Sequence, residues 1–378
     1  MNAFTSHEFS SHEVSADSSA WADSLAPWGW TPFFSAAFAE HAGTGLMPAR
    51  LLSEHPGLFR FVTAGGEGLA ELSGRLRHQA LSREELPAVG DWVALNWRPD
   101  MDKARIEAVL PRRSVFARKE TGGRSQAQIV AANVDTVLLV SALNQDLNVR
   151  RIERYLTLAW ESGARPVIVL SKADLASQAE ALRAEVEAVA IGTEILTLSA
   201  LTGTGLDALG PYLAPGQTLA LLGSSGVGKS TLVNALAGHQ LQRVQAIRED
   251  DARGRHTTTH RELFRLPSGA LLLDTPGMRE LQLWSAGDGL DASFGDILEL
   301  AAQCRFRNCA HAGESGCAIV PALENGGLDP LRWQNYLKLK REEAWVERRQ
   351  DAAKAANTKR RWKQIHVQAR QHMKEKYK

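Results

Sequence analysis

The chain has 378 residues, of which 44% are apolar, and its 44 Lys and Arg nearly balance its 43 Asp and Glu. This length predicts two or three domains with a sizeable core. No apolar run approaches the roughly 18 residues that span a membrane, and no basic segment followed by an apolar core opens the chain, so we expect a cytoplasmic protein without a membrane partner. Three cysteines, an odd number in one short segment, argue against a disulfide framework.

The first 118 residues divide into two parts. Residues 1–45 contain aromatic side chains without a sustained period, and we expect a poorly ordered extension with room for a short helix, unless the aromatics dock on a neighbour. Residues 46–118 alternate short β-like segments with Gly and Pro, which predicts an OB-fold β-barrel; any other small β-domain is the alternative. The predicted strands are residues 58–62, 68–72, 91–95 and 104–110.

Residues 119–284 alternate apolar strand-like runs with helical stretches. This pattern predicts an α/β domain with a mostly parallel sheet. Each of the last four runs stops just before a chemically distinctive loop, where ligands bind in such sheets. The runs are residues 134–140, 166–170, 194–198, 218–222 and 270–273.

Two of these loops fit the recognition of guanine. In the sequence Ser171-Lys172-Ala173-Asp174, the Asp can accept two hydrogen bonds from guanine, which adenine cannot offer, so it would select GTP. The usual motif begins with Asn, and Ser171 in that place is expected to loosen the loop; a solvated Lys and Asp after a strand is the alternative. Ser199 and Ala200 fit a backbone contact to guanine O6, a weak signal on its own.

The third loop is a phosphate-binding loop, or P-loop. It lies between a strand and a helix, as this motif requires, and its residues are Gly223, Ser224, Ser225, Gly226, Val227, Gly228, Lys229 and Ser230, followed by Thr231 in the helix. The glycines let backbone N–H groups surround a phosphate at the helix N-terminus. We expect the lysine to contact the β- and γ-phosphate oxygens and the Ser230 hydroxyl to bind Mg²⁺.

The segment after the P-loop carries the expected hydrolytic residues. Asp274 begins Asp-Thr-Pro-Gly, where the carboxylate can hold Mg²⁺ and the N–H of Gly277 can meet the γ-phosphate. One of Thr257, Thr258 and Thr259 is expected to complete the Mg²⁺ shell, and we assign Thr258. Met278 stands where a water-orienting Gln is usual, which predicts slow intrinsic hydrolysis. His256 is the candidate catalytic replacement; a surface histidine in a polar loop is the alternative.

All three cysteines lie within 14 residues and share that segment with a histidine. Three thiolates and one imidazole satisfy tetrahedral Zn²⁺ without an open position, which predicts a structural zinc site; reduced, unligated cysteines are the alternative. The ligands are Cys304, Cys309, His311 and Cys317, and the residues between the first two would be available for RNA or for packing.

The C-terminal segment is basic. Residues 331–378 carry 15 Lys or Arg against 5 Asp or Glu, a net charge of +10 within a total of +1, and their composition favours a helix. Clusters of this kind neutralise phosphates in nucleic acids. A solvated helix with basic ends is the alternative. Together with a barrel and a zinc site, the segment makes RNA a better expected partner than DNA or a membrane.

The order of the motifs is unusual, because the base-reading loops precede the P-loop. With the sequence Gly254-Arg255-His256-Thr257-Thr258-Thr259 and the Cys-x4-Cys-x-His-x5-Cys cluster, this order resembles the ribosome small subunit-dependent GTPase A family (RsgA, also called YjeQ), from about residue 47 to the C-terminus. The resemblance implies a multidomain fold: an OB-fold barrel, a circularly permuted G domain and a zinc-binding helical domain over residues 285–378.

The resemblance also implies a function. It predicts a monomeric GTPase, stimulated by the 30S ribosomal subunit, that binds 16S rRNA during late maturation of that subunit and converts GTP to GDP and phosphate with Mg²⁺. The family's proposed catalytic histidine falls at His256. The alternative is an RNA-binding or RNA-chaperone module in which nucleotide has a structural role. Hydrolysis accelerated by small subunits would distinguish the first from the second.

Overall fold

The computed structural model of the protein describes residues 18–80, 82–98, 101–119, 127–144, 147–238, 261–274, 289–344 and 348. Five strands form a closed barrel: β1 (Met47–His55), β2 (Leu58–Thr63), β3 (Gly66–Leu72), β4 (Trp92–Asn96) and β5 (Ala104–Val109). A short helix, α3 (Gly74–Gln79), follows β3. The strands follow the order β1-β2-β3-β5-β4, and β4 pairs with β1 to close the barrel. This topology confirms the predicted OB-like domain and adds β1, which was not predicted.

From residue 18 onward the segment before the barrel is folded, contrary to the expected poorly ordered extension and in line with the alternative that its aromatic side chains dock on a neighbour. It forms helices α1 (Ser18–Leu25) and α2 (Pro32–Phe38). Trp30, Phe34 and Phe38 are buried in one cluster with Trp92 of the barrel, and the rings of Trp30 and Trp92 lie 4.7 Å apart. These aromatic side chains therefore form part of a hydrophobic core, which their irregular spacing in the sequence did not predict. Residues 1–17 lie outside the described part.

Arg50 connects this N-terminal segment to both following domains. Its side chain is 1% exposed and donates to the carbonyl oxygens of Trp28, Gly90 and Asn133 and to the hydroxyl of Thr218, over distances of 3.4 Å to Gly90, 3.1 Å to Asn133 and 2.8 Å to Thr218. Burial lowers the pKa of the guanidinium to about 10. The group remains charged at neutral pH and fixes four segments relative to one another.

A hairpin joins the barrel to the next domain. Its strands are β6 (Val115–Lys119) and β7 (Ala127–Ala132), which form a separate two-stranded sheet. The domain boundary expected between residues 118 and 119 would cut through β6. Neither strand was predicted.

The central domain contains a six-stranded sheet. Its strands are β8 (Thr136–Ala142), β9 (Arg165–Ser171), β10 (Glu194–Thr197), β11 (Thr218–Leu222), β12 (Glu262–Arg265) and β13 (Leu271–Asp274), in the order β10-β9-β8-β11-β13-β12. All neighbours are parallel except β12, which runs antiparallel to β13. The five predicted runs are confirmed as strands. The unpredicted β12 also pairs with β1 of the barrel.

Three helices of this domain matter for the site: α4 (Val149–Ser162), α5 (Ala179–Glu187) and α6 (Lys229–Ala237). Helix α4 begins where the side chain of Asn148 accepts the N–H of Arg151, and it ends at Gly163 in a left-handed conformation. Its apolar residues Ile152, Leu156 and Ala159 are buried in the main core. No helix in the described part of the chain is long and apolar enough to cross a membrane.

The C-terminal domain packs on α4. It contains α7 (Gly289–Ser293), α8 (Gly295–Ala302), α9 (Ile319–Glu324) and a helix over residues 330–344, here α10. Its Phe294 and Tyr336 belong to the same core as Leu156. The backbone at Gly289 approaches α4 so closely that a Cβ there would lie 2.6 Å from the carbonyl oxygen of Thr157. The two domains therefore share one continuous core.

Candidate functional site: a nucleotide pocket and a metal centre

The P-loop connects β11 to α6 with the geometry that phosphate binding requires. Gly228 has φ 97° at the start of α6, a left-handed conformation that favours glycine. A Cβ on Gly223 would lie 2.3 Å from the carbonyl oxygen of Val140, so the strand and loop can pack only with glycine at that position. The ammonium of Lys229 donates to the carbonyl oxygens of Gly223 at 2.6 Å and Ser224 at 2.5 Å. These contacts hold its charge beside the loop.

The first base-reading loop is attached to the P-loop. Ser171 ends β9, is 3% exposed, and has its Oγ 2.5 Å from the carbonyl oxygen of Val227 and 3.2 Å from that of Ser141. A hydroxyl has one proton, so the shorter contact to Val227 is the hydrogen bond. This bond attaches the first base-reading loop to the P-loop; the expectation that serine, in the place of the usual Asn, loosens the loop stays a prediction.

The residues that follow turn sharply. Lys172 has φ 58°, and a short 3₁₀ helix over Ala173–Leu175 places Asp174 on the surface. A left-handed conformation at a residue other than glycine is uncommon and is often found at functional sites. The N–H of Ala173 donates to the carbonyl oxygen of Leu198 at 3.2 Å. This bond joins the first base-reading loop to the second.

The second base-reading loop begins at Ser199, which is 1% exposed. Its N–H donates to the carbonyl oxygen of Thr204, and its hydroxyl accepts the N–H of Thr202 at 3.2 Å. Ala200, the next residue, is half-buried. Strands β9 and β10 are neighbours, and β8 lies between β9 and β11; all four are parallel, so the P-loop and both base-reading loops lie at the same carboxyl edge of the sheet.

The residues predicted to bind magnesium and to act in hydrolysis lie only partly within the described structure. Asp274 ends β13, directly beside β11, and Ser230 lies in the first turn of α6. The carboxyl end of β13 therefore meets the P-loop side of the sheet. His256, Thr257, Thr258, Thr259, Gly277 and Met278 lie outside the described residues.

The cysteine cluster has the dimensions of a tetrahedral metal site. One ligand atom from each of Cys304, Cys309, His311 and Cys317 lies within 4.8 Å of all the others. The His311 Nδ1 is 3.6 Å from the Cys304 sulfur and 3.7 Å from the Cys317 sulfur. Zinc bonds of about 2.3 Å to sulfur and about 2.0 Å to nitrogen give tetrahedral edges of this length. The donor set therefore fits a structural zinc ion.

Glu314 shapes the loop that carries the histidine ligand. Its carboxylate accepts the N–H groups of Ala310 and Ala312, each at 2.8 Å, on either side of His311. His311 itself has φ 56°, so the loop needs such support. Sequence reasoning did not assign Glu314, although a carboxylate inside a cluster of metal ligands is a signal for this function.

A buried ionic cluster joins α4 to the C-terminal domain. Glu153 is fully buried and accepts from Arg332 at 2.7 Å, Asn335 at 2.6 Å and Arg150 at 2.8 Å. Arg332 also donates twice to Asp296, at 2.7 and 2.9 Å. Burial by itself lowers the pKa of Arg332, but the bonds to the two carboxylates outweigh it and raise this pKa. Sequence reasoning missed this cluster because its members are far apart along the chain.

Of the two regions expected to contact RNA, the loop between the first two cysteines lies within the described structure, and most of the basic C-terminal segment lies outside it. Between the first two cysteines, Arg305, Phe306, Arg307 and Asn308 are all exposed. The guanidinium of Arg305 lies 5.4 Å from the centre of the Phe306 ring. Most of the basic C-terminal segment lies beyond the described residues, which reach 344 and include 348.

Comparisons with known proteins cover most of the chain. A sequence profile of the RsgA GTPase family matches residues 109–284. The small ribosomal subunit biogenesis GTPase RsgA of Opitutus terrae is 48% identical over 90% of this chain and 96% of that protein. The small ribosomal subunit biogenesis GTPase RsgA 1 of Oceanobacillus iheyensis is 46% identical over 85% and 92%.

Solved structures support the same fold. YjeQ from Thermotoga maritima superposes with a TM-score of 0.59 at 28% identity, covering 79% of this chain and 99% of that one. YloQ, described as a circularly permuted GTPase, superposes with a TM-score of 0.55 at 23% identity, over 80% and 96%. The fold of this chain is therefore shared with these two proteins over about four-fifths of its length.

Proposed function

The chain belongs to the RsgA GTPase family, and from that membership we propose that it hydrolyses GTP during maturation of the small ribosomal subunit, as a cytoplasmic monomer that binds 16S rRNA. The observation that best supports nucleotide binding is the bond between Ser171 and Val227, because it holds a base-reading loop against the P-loop. One nucleotide can then contact both loops at once.

The proposed phosphate site consists of the P-loop and the N-terminus of α6. Backbone N–H groups from Gly223 to Thr231 surround the phosphates, and the helix dipole favours their negative charge. Lys229 is already fixed beside the loop by two carbonyl oxygens. Its ammonium therefore needs little reorganisation to neutralise the β- and γ-phosphate oxygens.

The proposed guanine site consists of the two loops joined by Ala173 and Leu198. Asp174 accepts the two guanine donors, Lys172 covers the base and the N–H of Ala200 meets guanine O6. Asp174 is exposed in the described structure, so its carboxylate is accessible to a ligand.

The hydrolysis residues are assigned by sequence. Ser230, Asp274 and Thr258 would hold Mg²⁺, which neutralises charge on the phosphate oxygens when it is bound. His256 orients the attacking water in place of the glutamine that Met278 replaces. Slow intrinsic turnover follows, with acceleration when the small subunit positions His256 beside the attacking water.

The proposed resident metal is one zinc ion, held by three thiolates and the His311 imidazole. With no open position, the ion supplies folding energy and no catalysis. It holds the exposed residues 305–308 in one loop, where two arginines and an aromatic ring can contact phosphate and bases of single-stranded RNA. The basic C-terminal segment adds salt-dependent affinity for rRNA.

One set of measurements tests this function. GTP and ATP hydrolysis are measured with and without purified small subunits, for the native protein and for Asp174→Ala. We expect GTP turnover to rise with subunits, ATP turnover to stay at background, and the variant to lose GTP binding. RNA binding that is indifferent to nucleotide, without stimulated turnover, would instead favour the RNA-chaperone alternative.

A further inference from the structure

Helix α4 contacts three parts of the molecule. Its apolar side, with Ile152 and Leu156, packs in the core that the G domain shares with the C-terminal domain. The side that carries Arg150 and Glu153 faces the C-terminal domain. Between these sides, the guanidinium of Arg151 donates to the hydroxyl of Ser224 in the P-loop at 2.8 Å. One helix therefore touches both the proposed phosphate site and the C-terminal domain.

The contacts to the C-terminal domain are strong enough to make α4 and α10 move together. Glu153 is fully buried, and its carboxylate is paired with Arg332 and Asn335, both on α10. Separating the helices would leave a buried carboxylate without its partners, which is strongly unfavourable. Arg154 adds a bidentate pair with Glu342, at 2.7 and 2.8 Å, further along α10.

The contact to the P-loop is of a different kind. The side chain of Arg151 is exposed, so its removal leaves no cavity in the core. Its bond to Ser224 ends on the loop that the phosphates would occupy. Phosphate charge in the loop would attract the nearby guanidinium and hold the first turn of α4 in place.

We propose that Arg151 is a positioning residue that transmits occupancy of the P-loop through α4 to α10, the helix that leads into the basic C-terminal segment. The proposal rests on nucleotide binding at the P-loop, as proposed above. Coupling between two sites is a free energy and is reciprocal. A nucleotide that stabilises the docking of α10 must therefore bind less tightly when that docking is weakened.

Hydrogen exchange measured by mass spectrometry tests the proposal on the full-length protein. Exchange of residues 330–344 is followed with and without GDP, while GDP affinity is measured separately with a fluorescent GDP analogue. In the native protein we expect GDP to slow exchange in α10 by about two- to fivefold, the range expected of an exposed charged contact. In Arg151→Ala this slowing disappears, while GDP affinity falls by no more than about fivefold.

Three further variants make the result specific. Ser224→Ala removes the same contact from the loop; because Ser224 belongs to the proposed phosphate site, exchange is measured at a GDP concentration that saturates this variant, and the slowing in α10 must then be lost as in Arg151→Ala. Asn335→Ala removes a bond to Glu153 and so weakens the docking of α10 on α4. By reciprocity it must reduce GDP affinity by the same factor by which the slowing of exchange in α10 decreases. Arg183→Ala is the matched control: the bonds described for this arginine of α5 go to Glu187 at 2.8 Å and Thr197 at 3.3 Å, and its removal must leave the slowing intact.

The outcomes separate the two proposals. If the native protein does not bind GDP, the proposed function fails. If GDP binds but does not slow exchange in α10 of the native protein, or slows it in Arg151→Ala and Ser224→Ala as much as in the native protein, the coupling through α4 is overturned. Loss of the slowing in both of these variants, with GDP still bound and the Arg183→Ala control unchanged, supports it.

Discussion

Replacement of Arg50 by methionine should destabilise the junction between the N-terminal segment, the barrel and the G domain. Methionine keeps a long apolar stem but has no donor. The carbonyl oxygens of Trp28 and Asn133 would lose the hydrogen bonds from the Arg50 guanidinium, whereas the Gly90 carbonyl would keep its bond from the Asn133 side-chain amide at 3.1 Å. Thr218 would lose one partner of its hydroxyl.

The expected loss follows from these contacts. A buried carbonyl left without a donor costs about 1–3 kcal/mol, so the two oxygens together cost about 4 kcal/mol. Burial of the charged guanidinium is unfavourable, and this burial lowers the pKa of Arg50 to about 10. An uncharged methionine avoids that cost, which offsets part of the loss. We therefore expect a net decrease of about 2–3 kcal/mol in the free energy of unfolding.

Urea denaturation followed by circular dichroism measures this change. The matched control is Arg113→Met, because Arg113 lies nearby but forms an exposed pair with Asp135 at 3.1 Å, worth at most about 1 kcal/mol. Limited proteolysis should also cleave Arg50→Met faster before residue 47. A loss no larger than that of the control would refute the assignment of Arg50 as the connecting residue.

Three other substitutions have defined outcomes. Ser171→Ala leaves the Val227 carbonyl without its 2.5 Å donor, so GTP affinity measured by fluorescence titration should fall by about 1 kcal/mol, or fivefold; unchanged affinity would contradict this function of the serine. Burial, and then the nearby Glu343 and Glu342, raise the pKa of Glu161 from 4.5 to about 8. The folded protein thus retains a proton that the unfolded chain releases, so the free energy of unfolding should decrease as the pH rises from about 4.5 to 8. Glu161→Gln should flatten the dependence of Tm on pH over that range; the same dependence in the variant and the native protein would refute this. Cys317→Ser should reduce zinc measured by native mass spectrometry from one ion per chain to none.

The sequence alone was sufficient for local motifs and for the order of the domains. Each loop predicted to bind a ligand follows an apolar run, and every such run is a strand of the G-domain sheet, because buried parallel strands read as continuous apolar segments. The four predicted metal ligands are within 14 residues and converge as expected. Such features depend on neighbours in sequence.

The features that sequence reasoning missed depend on residues far apart in the chain. Arg50 bonds to backbone oxygens of Trp28 and Asn133, and no side-chain pattern marks a carbonyl as a future partner. Glu153 and Arg332 are 179 positions apart. Strand β12 has only four residues and depends on its pairing with β13 and β1 for definition. Tertiary contacts therefore decided these elements.

The permuted order places the C-terminal domain directly after Asp274 in sequence, which suggests that the γ-phosphate acts on it through residues 275–288. The described contacts support a second connection, because the C-terminal domain packs on α4 and α4 touches the P-loop. The two connections respond to different parts of the nucleotide. A route through Asp274 requires the γ-phosphate, whereas the contact of Arg151 with the P-loop requires only the phosphates that GDP also carries. Comparing GDP with a non-hydrolysable GTP analogue in Arg151→Ala therefore separates them: any slowing of exchange in α10 that survives the substitution should appear with the GTP analogue alone.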